Sequence, residues 1–214
     1  MTKSAAYGAR LAFGDVNKAF TVAAATNLLT IATHGYSASD PILIKSAGFV
    51  SGTPLVVKKV YYARDILTNT FALSLTPGGA AIDVTVDGSG SVTKLSDIAQ
   101  ISSLSGPNMQ AETIDVTTHD SPSAIREFVS GLIDAGEMTV GLVFDPNVVT
   151  QKAIFDDLVA RTQAMGFGFF FPTLLAVTWG FEGIVTGFGP IEAQPDGAVT
   201  ATCTIKLTGV INVA

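Results

Sequence analysis

The sequence has few of the side chains that carry chemistry in enzymes and metalloproteins. Its 214 residues contain one cysteine, two histidines and one tryptophan. The single cysteine, Cys203, excludes an intrachain disulfide framework, is typical of a reducing compartment, and is expected in the core of a strand. His34 and His119 have no second histidine or cysteine at ligand spacing. The sequence therefore predicts no metal site and no cofactor.

Groups of residues that would indicate catalysis are also missing. His119, Asp120 and Ser121 are the residue types of a catalytic triad, but triad members usually come from separate elements that meet in a cleft. Asp134 and Glu137 flank a glycine-containing turn, and nothing in their spacing gives one carboxylate the buried environment that a glycosidase acid needs. The glycine-rich stretches at 87–91 and 166–171 lack a phosphate-loop lysine and are interpreted as turns. We therefore predict a protein that is not an enzyme.

Basic charge is scarce in the second half of the chain. The whole sequence has 18 acidic and 12 basic residues, and residues 95–214 contain thirteen acidic and four basic ones, a net charge of −9. Affinity for nucleic acid comes mainly from cations that displace counterions from phosphates, so this segment is expected to repel DNA. A passage through which DNA slides without binding is compatible with such a surface.

No segment is typical of a membrane or a secretion signal. Residues 162–181 carry no charge, but they contain three glycines and Pro172, and their apolar residues alternate. This pattern predicts buried strands rather than a membrane helix. The N-terminal residues lack the continuous apolar core of a signal peptide, so we expect assembly in a cytoplasm and no membrane insertion.

The composition and periodicity favour a mainly β fold. Apolar residues make up 48% of the chain, and there are 21 glycines. Residues 198–208 alternate apolar and polar side chains, as a strand with one buried face requires. One helix is predicted between Asp145, which is expected to cap it, and Gly166, which is expected to end it. Its buried rows are predicted to include Ile154 with Leu158, and Phe155 with Val159.

Residues 22–94 have a rhythm of their own. Turn signals containing glycine, proline, asparagine and aspartate separate short apolar runs, which predict strands at 28–31, 42–46, 56–65, 70–75 and 82–86. We interpret this segment as a small all-β module inserted into a host domain formed by residues 1–21 and 95–214. Its pattern THGYSASDPILI (33–44), followed by VYYARDILTNTFALSLTPGGAAI (60–82), is loosely similar to small β-modules that recur in phage virion proteins.

Residues 106–147 carry the most specific signal. The motifs are GPNMQAETIDVTTHDS (106–121), REFVSGLIDAGE (126–137), FDPN (144–147) and the closing segment at 179–209. In this order they resemble the tail tube (major tail) proteins of long, non-contractile-tailed bacteriophages. The resemblance covers about the first fifteen residues and residues 95–214. It implies a β-sandwich or barrel-like domain with one flanking helix, to which the inserted β-module is an addition.

The resemblance also implies a structural role in the virion. Such proteins form hexameric rings that stack into the hollow phage tail tube. The tube holds the tape-measure protein and ends at tail-tip and terminator proteins. During genome ejection it conducts the double-stranded DNA without binding it specifically. The inserted module is expected on the tube exterior, because six copies inside would block the lumen. The polar loop at 117–131 is the candidate contact between subunits or rings; its candidate residues are Thr117, His119, Asp120, Arg126, Glu127 and Phe128. Candidate acids of the lumen are Glu112, Asp115, Glu137 and Glu182.

Two alternatives remain at the level of the sequence. One is a tube protein of a related device, such as a contractile injection system or a gene-transfer particle, because the ring fold is shared. The other is a carbohydrate-binding β-protein whose binding unit is the inserted module. That function requires exposed aromatic residues, such as Tyr36, Tyr61 and Tyr62, on one face. Tyr61 and Tyr62 are adjacent and point to opposite faces of a strand, so both cannot contribute.

Overall fold

The structure is a computed structural model that describes residues 8–48, 54–121, 125–172 and 177–213. Its elements, in chain order, are β1 (Arg10–Gly14), β2 (Asn17–Ala23), β3 (Leu28–Thr30), β4 (Pro41–Ala47), β5 (Val60–Arg64), β6 (Thr70–Ser74), β7 (Gly88–Lys94), β8 (Ser96–Asp97), β9 (Ile101–Ser105), β10 (Gln110–Asp115), β11 (Phe128–Asp134), β12 (Glu137–Val143), α1 (Val149–Ala160), β13 (Met165–Phe170), β14 (Thr178–Glu192) and β15 (Thr200–Val213). The mainly β fold with one helix agrees with the prediction from the sequence.

The largest sheet has seven antiparallel strands in the order β8-β1-β13-β14-β15-β12-β9. The alternation predicted for residues 198–208 is confirmed in β15, where Ala201, Cys203, Ile205 and Leu207 are buried. They pack with residues of β1, β12, β13 and β14 in one core cluster. Burial raises the pKa of the Cys203 thiol to about 12, so the thiol is protonated at neutral pH.

This sheet is curled rather than flat. Its two edge strands, β8 and β9, are separated in the chain only by residues 98–100. Four peptide steps span at most about 14 Å, whereas the edges of seven flat strands would lie roughly 29 Å apart. The sheet must therefore wrap around its core and bring β8 close to β9.

The side chain of a fully buried glutamine, Gln151, forms hydrogen bonds at the place where the two edges of the sheet approach each other. The Gln151 amide donates 3.0 Å hydrogen bonds to the carbonyl oxygens of Ala99 and Val143. Its own oxygen accepts a 2.9 Å bond from the backbone N–H of Asp145. Because Ala99 lies between β8 and β9 and Val143 ends β12, the helix that carries Gln151 is tied to both sides of this junction.

The predicted bounds of the helix were wrong at both ends. Its N-cap position is Val148, which makes no side-chain cap, while Asp145 instead accepts the N–H of Asn147 in the preceding turn. The helix ends at Arg161 in the left-handed conformation, and Gly166 lies in β13. Of the two predicted apolar pairs, Ile154 is buried and Leu158 partly buried, but Phe155 and Val159 are 44% and 66% exposed.

A second sheet, β2-β3-β6-β5-β4-β7, closes into a six-stranded barrel. Its core contains Phe20, Leu29, Ile44, Tyr61 and Phe71. The strands expected at 28–31, 42–46, 56–65 and 70–75 are present with shifted ends. The expected strand at 82–86 was wrong, since these described residues form no strand and the next one is β7, at Gly88–Lys94. The polar, glycine-rich sequence GSGSVTK pairs with both β2 and β4, so closure of the barrel overrides its weak strand propensity.

The barrel rests directly on the curled sheet. A small shared core joins Ala12 and Phe170 of the sheet to Leu43, Val60 and Tyr62 of the barrel, together with Leu95 of the connection. The covered part of the sheet is formed by β1, β13 and the beginning of β14. The barrel is therefore packed on the sheet and is not merely tethered to it.

Candidate assembly surfaces

Strands β10 and β11 form a separate two-stranded sheet. This hairpin connects the end of β9 to the beginning of β12. Apolar side chains lie exposed on this hairpin: Ile114 is 47%, Phe128 55%, Leu132 83% and Ile133 67% exposed. Ala111 lies opposite Ile133, and a bulge follows it. Ile133 and Leu132 are adjacent and point to opposite faces, so apolar area is uncovered on both faces of the hairpin.

The described part of the loop at the end of the hairpin is polar and internally hydrogen-bonded. Glu127 donates its N–H to the Thr117 hydroxyl at 3.0 Å and accepts a 3.1 Å bond from the Ser121 hydroxyl. The guanidinium of Arg126 lies 3.8 Å from the Asp115 carboxylate, and both side chains are well exposed. His119 and Asp120 are exposed at the tip, while residues 122–124 of the predicted loop lie outside the described residues. Phe128 belongs to β11 rather than to the loop.

The four candidate lumen acids are in three different settings. Glu112 and Asp115 lie exposed on β10, and Glu137 is exposed at the beginning of β12. The hydroxyl and N–H of Thr117 bind Asp115 and lower the pKa of its carboxyl. Glu182, in contrast, lies under the barrel, where its carboxylate binds lysines.

These lysines and Glu182 form a charged clamp between barrel and sheet. The ammonium of Lys58 is 3.1 Å, and that of Lys45 3.7 Å, from the Glu182 carboxylate oxygens. Lys58 also donates to the carbonyl of Thr208, and Lys45 to that of Ala164, both in the part of the chain that forms the curled sheet. Burial lowers the pKa of Lys45, and the Glu182 carboxylate opposes this effect by favouring the ammonium.

Three glycines under the barrel were not recognised as interface residues from the sequence. A Cβ atom added to Gly180 would lie 2.1 Å from the Lys58 carbonyl oxygen, and one on Gly14 would lie 2.4 Å from that of Lys94. On Gly166 it would lie 2.7 Å from a Leu43 methyl group. We call Gly14, Gly166 and Gly180 the glycine seat. The interpretation of 166–171 as a turn was wrong, while the buried strand predicted within 162–181 is confirmed in β13. Glycine inside a strand pattern is a known signal of close backbone approach.

The barrel does not present the aromatic surface that carbohydrate binding would need. Tyr36, Tyr61 and Tyr62 are only 7%, 0% and 8% exposed. His34 is buried beside Tyr36 and Phe71, and its ring bonds the Leu67 carbonyl and the Tyr36 N–H. These aromatic residues form core, and the interpretation as a carbohydrate-binding module was wrong on this point.

Neither metal ligands nor membrane-spanning helices occur in the described part of the chain. Within residues 8–48, 54–121, 125–172 and 177–213, histidine, cysteine and acidic side chains nowhere gather in a group of three that could hold an ion. The 12-residue helix α1 is too short to cross a bilayer, and no longer apolar helix occurs in these ranges.

The curled sheet carries an exposed apolar hairpin at one end, and exposed apolar patches typically mark surfaces for other molecules. The family described as lambda phage tail tube protein (TTP) matches residues 84–214 of this sequence. Because the match covers more than half of the chain, the protein belongs to this family. It is a structural component of the virion tail, a tail tube protein, and not an enzyme.

Three solved structures match part of this chain at low sequence identity. A chain in the virion of a native gene transfer agent particle has 17% identity and a TM-score of 0.46, over 56% of this chain and 88% of that one. A chain in the tail of an empty gene transfer agent particle, computed with C6 symmetry, gives the same identity and score over 56% and 87%. A chain of the anti-feeding prophage baseplate has 15% identity and a TM-score of 0.42, over 56% and 83%. The comparison with curated proteins gave no match.

Proposed function

We propose that this tail tube protein assembles into hexameric rings that stack into the hollow tail of a long, non-contractile-tailed phage. The observation that carries the proposal is the β10–β11 hairpin, whose apolar side chains are uncovered on both faces. A two-stranded sheet alone is marginally stable in water, and an exposed apolar patch of this kind marks an interface. Membership of the tail tube family supports a second copy of the chain as its occupant.

The hairpin and the polar loop at its tip are suited to a contact between unlike surfaces. A hairpin of one subunit that packs on a different surface of the next makes a heterologous contact, which closes into rings or continues as a filament. We assign the contact to the residues predicted from the sequence, which are Thr117, His119, Asp120, Arg126 and Glu127 of the loop and Phe128 of β11. Their charged side chains are exposed, so each ion pair is expected to contribute at most about 1 kcal/mol.

The tube would enclose the tape-measure protein, end at tail-tip and terminator proteins, and then conduct double-stranded DNA. The net charge of −9 in residues 95–214 supports passage without specific binding, because few cations are present to displace counterions from phosphates. Exposed Glu112, Asp115 and Glu137 remain candidates for a negative lining. Glu182 is already paired with Lys45 and Lys58 of the barrel.

We place the barrel on the exterior of the tube as an addition to the tail tube domain. Six inward copies of a closed barrel would obstruct DNA. The sequence suggested that the module comprises residues 22–94; the pairing of β2 with β7 favours a module that begins at Asn17. The family match begins at residue 84 and includes only β7 of the barrel, which supports a separate addition.

Negative-stain electron microscopy of the purified protein over a concentration series tests this function. Hollow rings or tubes of one diameter are expected above a threshold concentration. Particles that stay monomeric at every concentration, and also after addition of a tail-tip complex as initiator, would contradict the proposal.

A further inference from the structure

The position of the barrel distinguishes the two sides of the curled sheet. The barrel covers β1, β13 and the beginning of β14. Because the sheet wraps around its core, strands β9 and β12 and the first half of β15 lie on the other side of that core. The side chains that these strands direct away from the core therefore face away from the barrel.

That opposite surface consists of hydroxyl side chains in register. Thr139 of β12 lies directly between Ser105 of β9 and Thr204 of β15. Two residues further along β12, on the same face, Gly141 lies between Ser103 and Thr202. We call the five hydroxyl residues of these two rows the hydroxyl face; they are Ser103, Ser105, Thr139, Thr202 and Thr204.

Charge at the border of the hydroxyl face is sparse, and the lysine at this border, Lys206, is paired. Glu137 lies opposite Lys206 in the next row of the sheet. The ammonium of Lys206 is 2.8 Å from the Asp134 carboxylate, so this cation already has a counterion. Phosphates near the face would meet hydroxyls and a neutralised lysine rather than free positive charge.

We propose that the hydroxyl face lines the lumen of the tube and is the surface along which double-stranded DNA slides. This assignment rests on the proposed function, since it requires a tube with the barrel outside. Serine and threonine hydroxyls stay hydrated and supply no cation for counterion release, so they hold no phosphate by charge. In this arrangement the lining is mainly neutral and polar. Of the three exposed candidate acids only Glu137 borders it, whereas Glu112 and Asp115 lie on the hairpin that contacts the next subunit.

The side chains of the hydroxyl face are not those of a subunit contact. Contacts between subunits bury apolar and aromatic side chains at their centre. Those side chains are exposed on the hairpin, at Phe128 and Leu132, whereas the hydroxyl face offers serines and threonines. The hairpin is thus the surface for protein and the hydroxyl face is the surface for the DNA passage.

Cysteine labelling tests the assignment, because the native Cys203 is buried and its thiol is protonated. Thr139→Cys places a thiol on the hydroxyl face, and Thr68→Cys, at an exposed position of the barrel, is the matched exterior control. Assembled tubes are treated with maleimide-biotin, washed, incubated with streptavidin and imaged by negative stain. Wild-type protein is the blank.

We expect Thr68→Cys tubes to be decorated along their length. Thr139→Cys tubes should be biotinylated yet undecorated, and should bind streptavidin only after dissociation. Streptavidin on intact Thr139→Cys tubes, or a thiol that is labelled in free subunits but blocked in tubes, would overturn the assignment. So would failure of both Thr139→Cys and Ser103→Cys to assemble while Thr68→Cys does. If wild-type protein forms no tubes, the proposed function fails, and this assignment fails with it.

Discussion

Asp134 shows how a single exposed side chain is fixed between two elements. Its carboxylate accepts a 2.8 Å bond from Lys206 of β15 and another from the N–H of Gly136 in the turn before β12. Lys206 first, and Gly136 second, lower the pKa of the Asp134 carboxyl. The pair therefore holds the base of the hairpin against the curled sheet, and the stabilisation is present above the ordinary carboxyl pKa and lost as the pH falls through the lowered value.

Lys206→Met should raise the pKa of Asp134 towards its ordinary value. Removing the ammonium removes the main interaction that favours the carboxylate, while the Gly136 bond remains. The measurement is a carboxyl ¹³C NMR titration of both proteins. Asp115, whose lowered pKa depends on Thr117, is the internal control and should titrate unchanged. An unchanged Asp134 midpoint would show that Lys206 does not bind it in solution.

Glu182→Gln should destabilise the protein more than an equivalent change at the surface. The substitution leaves Lys45 and Lys58 charged and largely covered, with side chains 9% and 19% exposed. Removing one partner of such a pair is expected to cost about 3 kcal/mol. Asp97→Asn is the control, since it breaks an exposed pair with Arg10 and should cost less than about 1 kcal/mol. Urea unfolding measures both; equal losses would refute a structural role for the clamp.

At the scale of elements, the fit of the barrel on the sheet depends on missing side chains. A methyl group at Gly180 has no room beside the Lys58 carbonyl, whereas one at Gly187 of the same strand would meet only Thr204, at 3.7 Å. Gly180→Ala is therefore expected to cost about 1–3 kcal/mol by overpacking, and Gly187→Ala much less. Thermal unfolding of the two variants provides the comparison. Similar melting temperatures would mean that the barrel does not rest on the glycine seat.

The hairpin gives a second prediction at this scale. Leu132→Ser should abolish or strongly weaken tube formation while leaving the subunit folded, because Leu132 is 83% exposed and contributes to assembly rather than to the core. Burial of one leucine contributes about 1.5–3 kcal/mol, and each ring would contain several copies. Leu75→Ser, at a 56% exposed leucine of the barrel region, is the control and should assemble normally. Sedimentation and negative-stain imaging distinguish the two variants, and normal tubes with Leu132→Ser would exclude the hairpin as the contact.

At the scale of the whole molecule, the barrel is expected to be dispensable for the tube. The chain leaves the curled sheet at β1 and returns to it at β8, and the close approach of Gly14 to the Lys94 carbonyl shows that a short linker can join the two ends. A chain in which such a linker replaces residues 16–94 should form narrower tubes. It should also be less stable, because Leu95 and Phe170 lose their cover.

Electron microscopy of the shortened chain measures the tube width. Circular dichroism of the same preparation shows whether it is folded. A folded shortened chain that forms no tubes would make the barrel part of the wall rather than an exterior addition.

Features that depend on neighbouring residues were predicted from the sequence, and features that depend on residues far along the chain were missed. Strands such as β15 were predicted well because a buried face imposes a period of two on neighbouring residues. The ends of the helix were missed because Asp145 and Gly166 are good cap residues by type, yet Asp145 is used in a turn and Gly166 in the glycine seat. The strand β7 was missed because its pairing with β2 and β4 depends on residues far along the chain.

The sequence by itself determined the mainly β fold, the acidic second half and the membership of the tail tube family, because composition, periodicity and ordered motifs are properties of the chain. Only the tertiary structure decided that the sheet curls, that Gly14, Gly166 and Gly180 seat the barrel, and that Glu182 binds Lys45 and Lys58. The contacts of Gly166, Gly180 and Glu182 join residues more than 120 positions apart, and the contact of Gly14 with Lys94 joins residues 80 positions apart. They arise from close packing and from charge pairing under the barrel, and neither leaves a local pattern in the sequence.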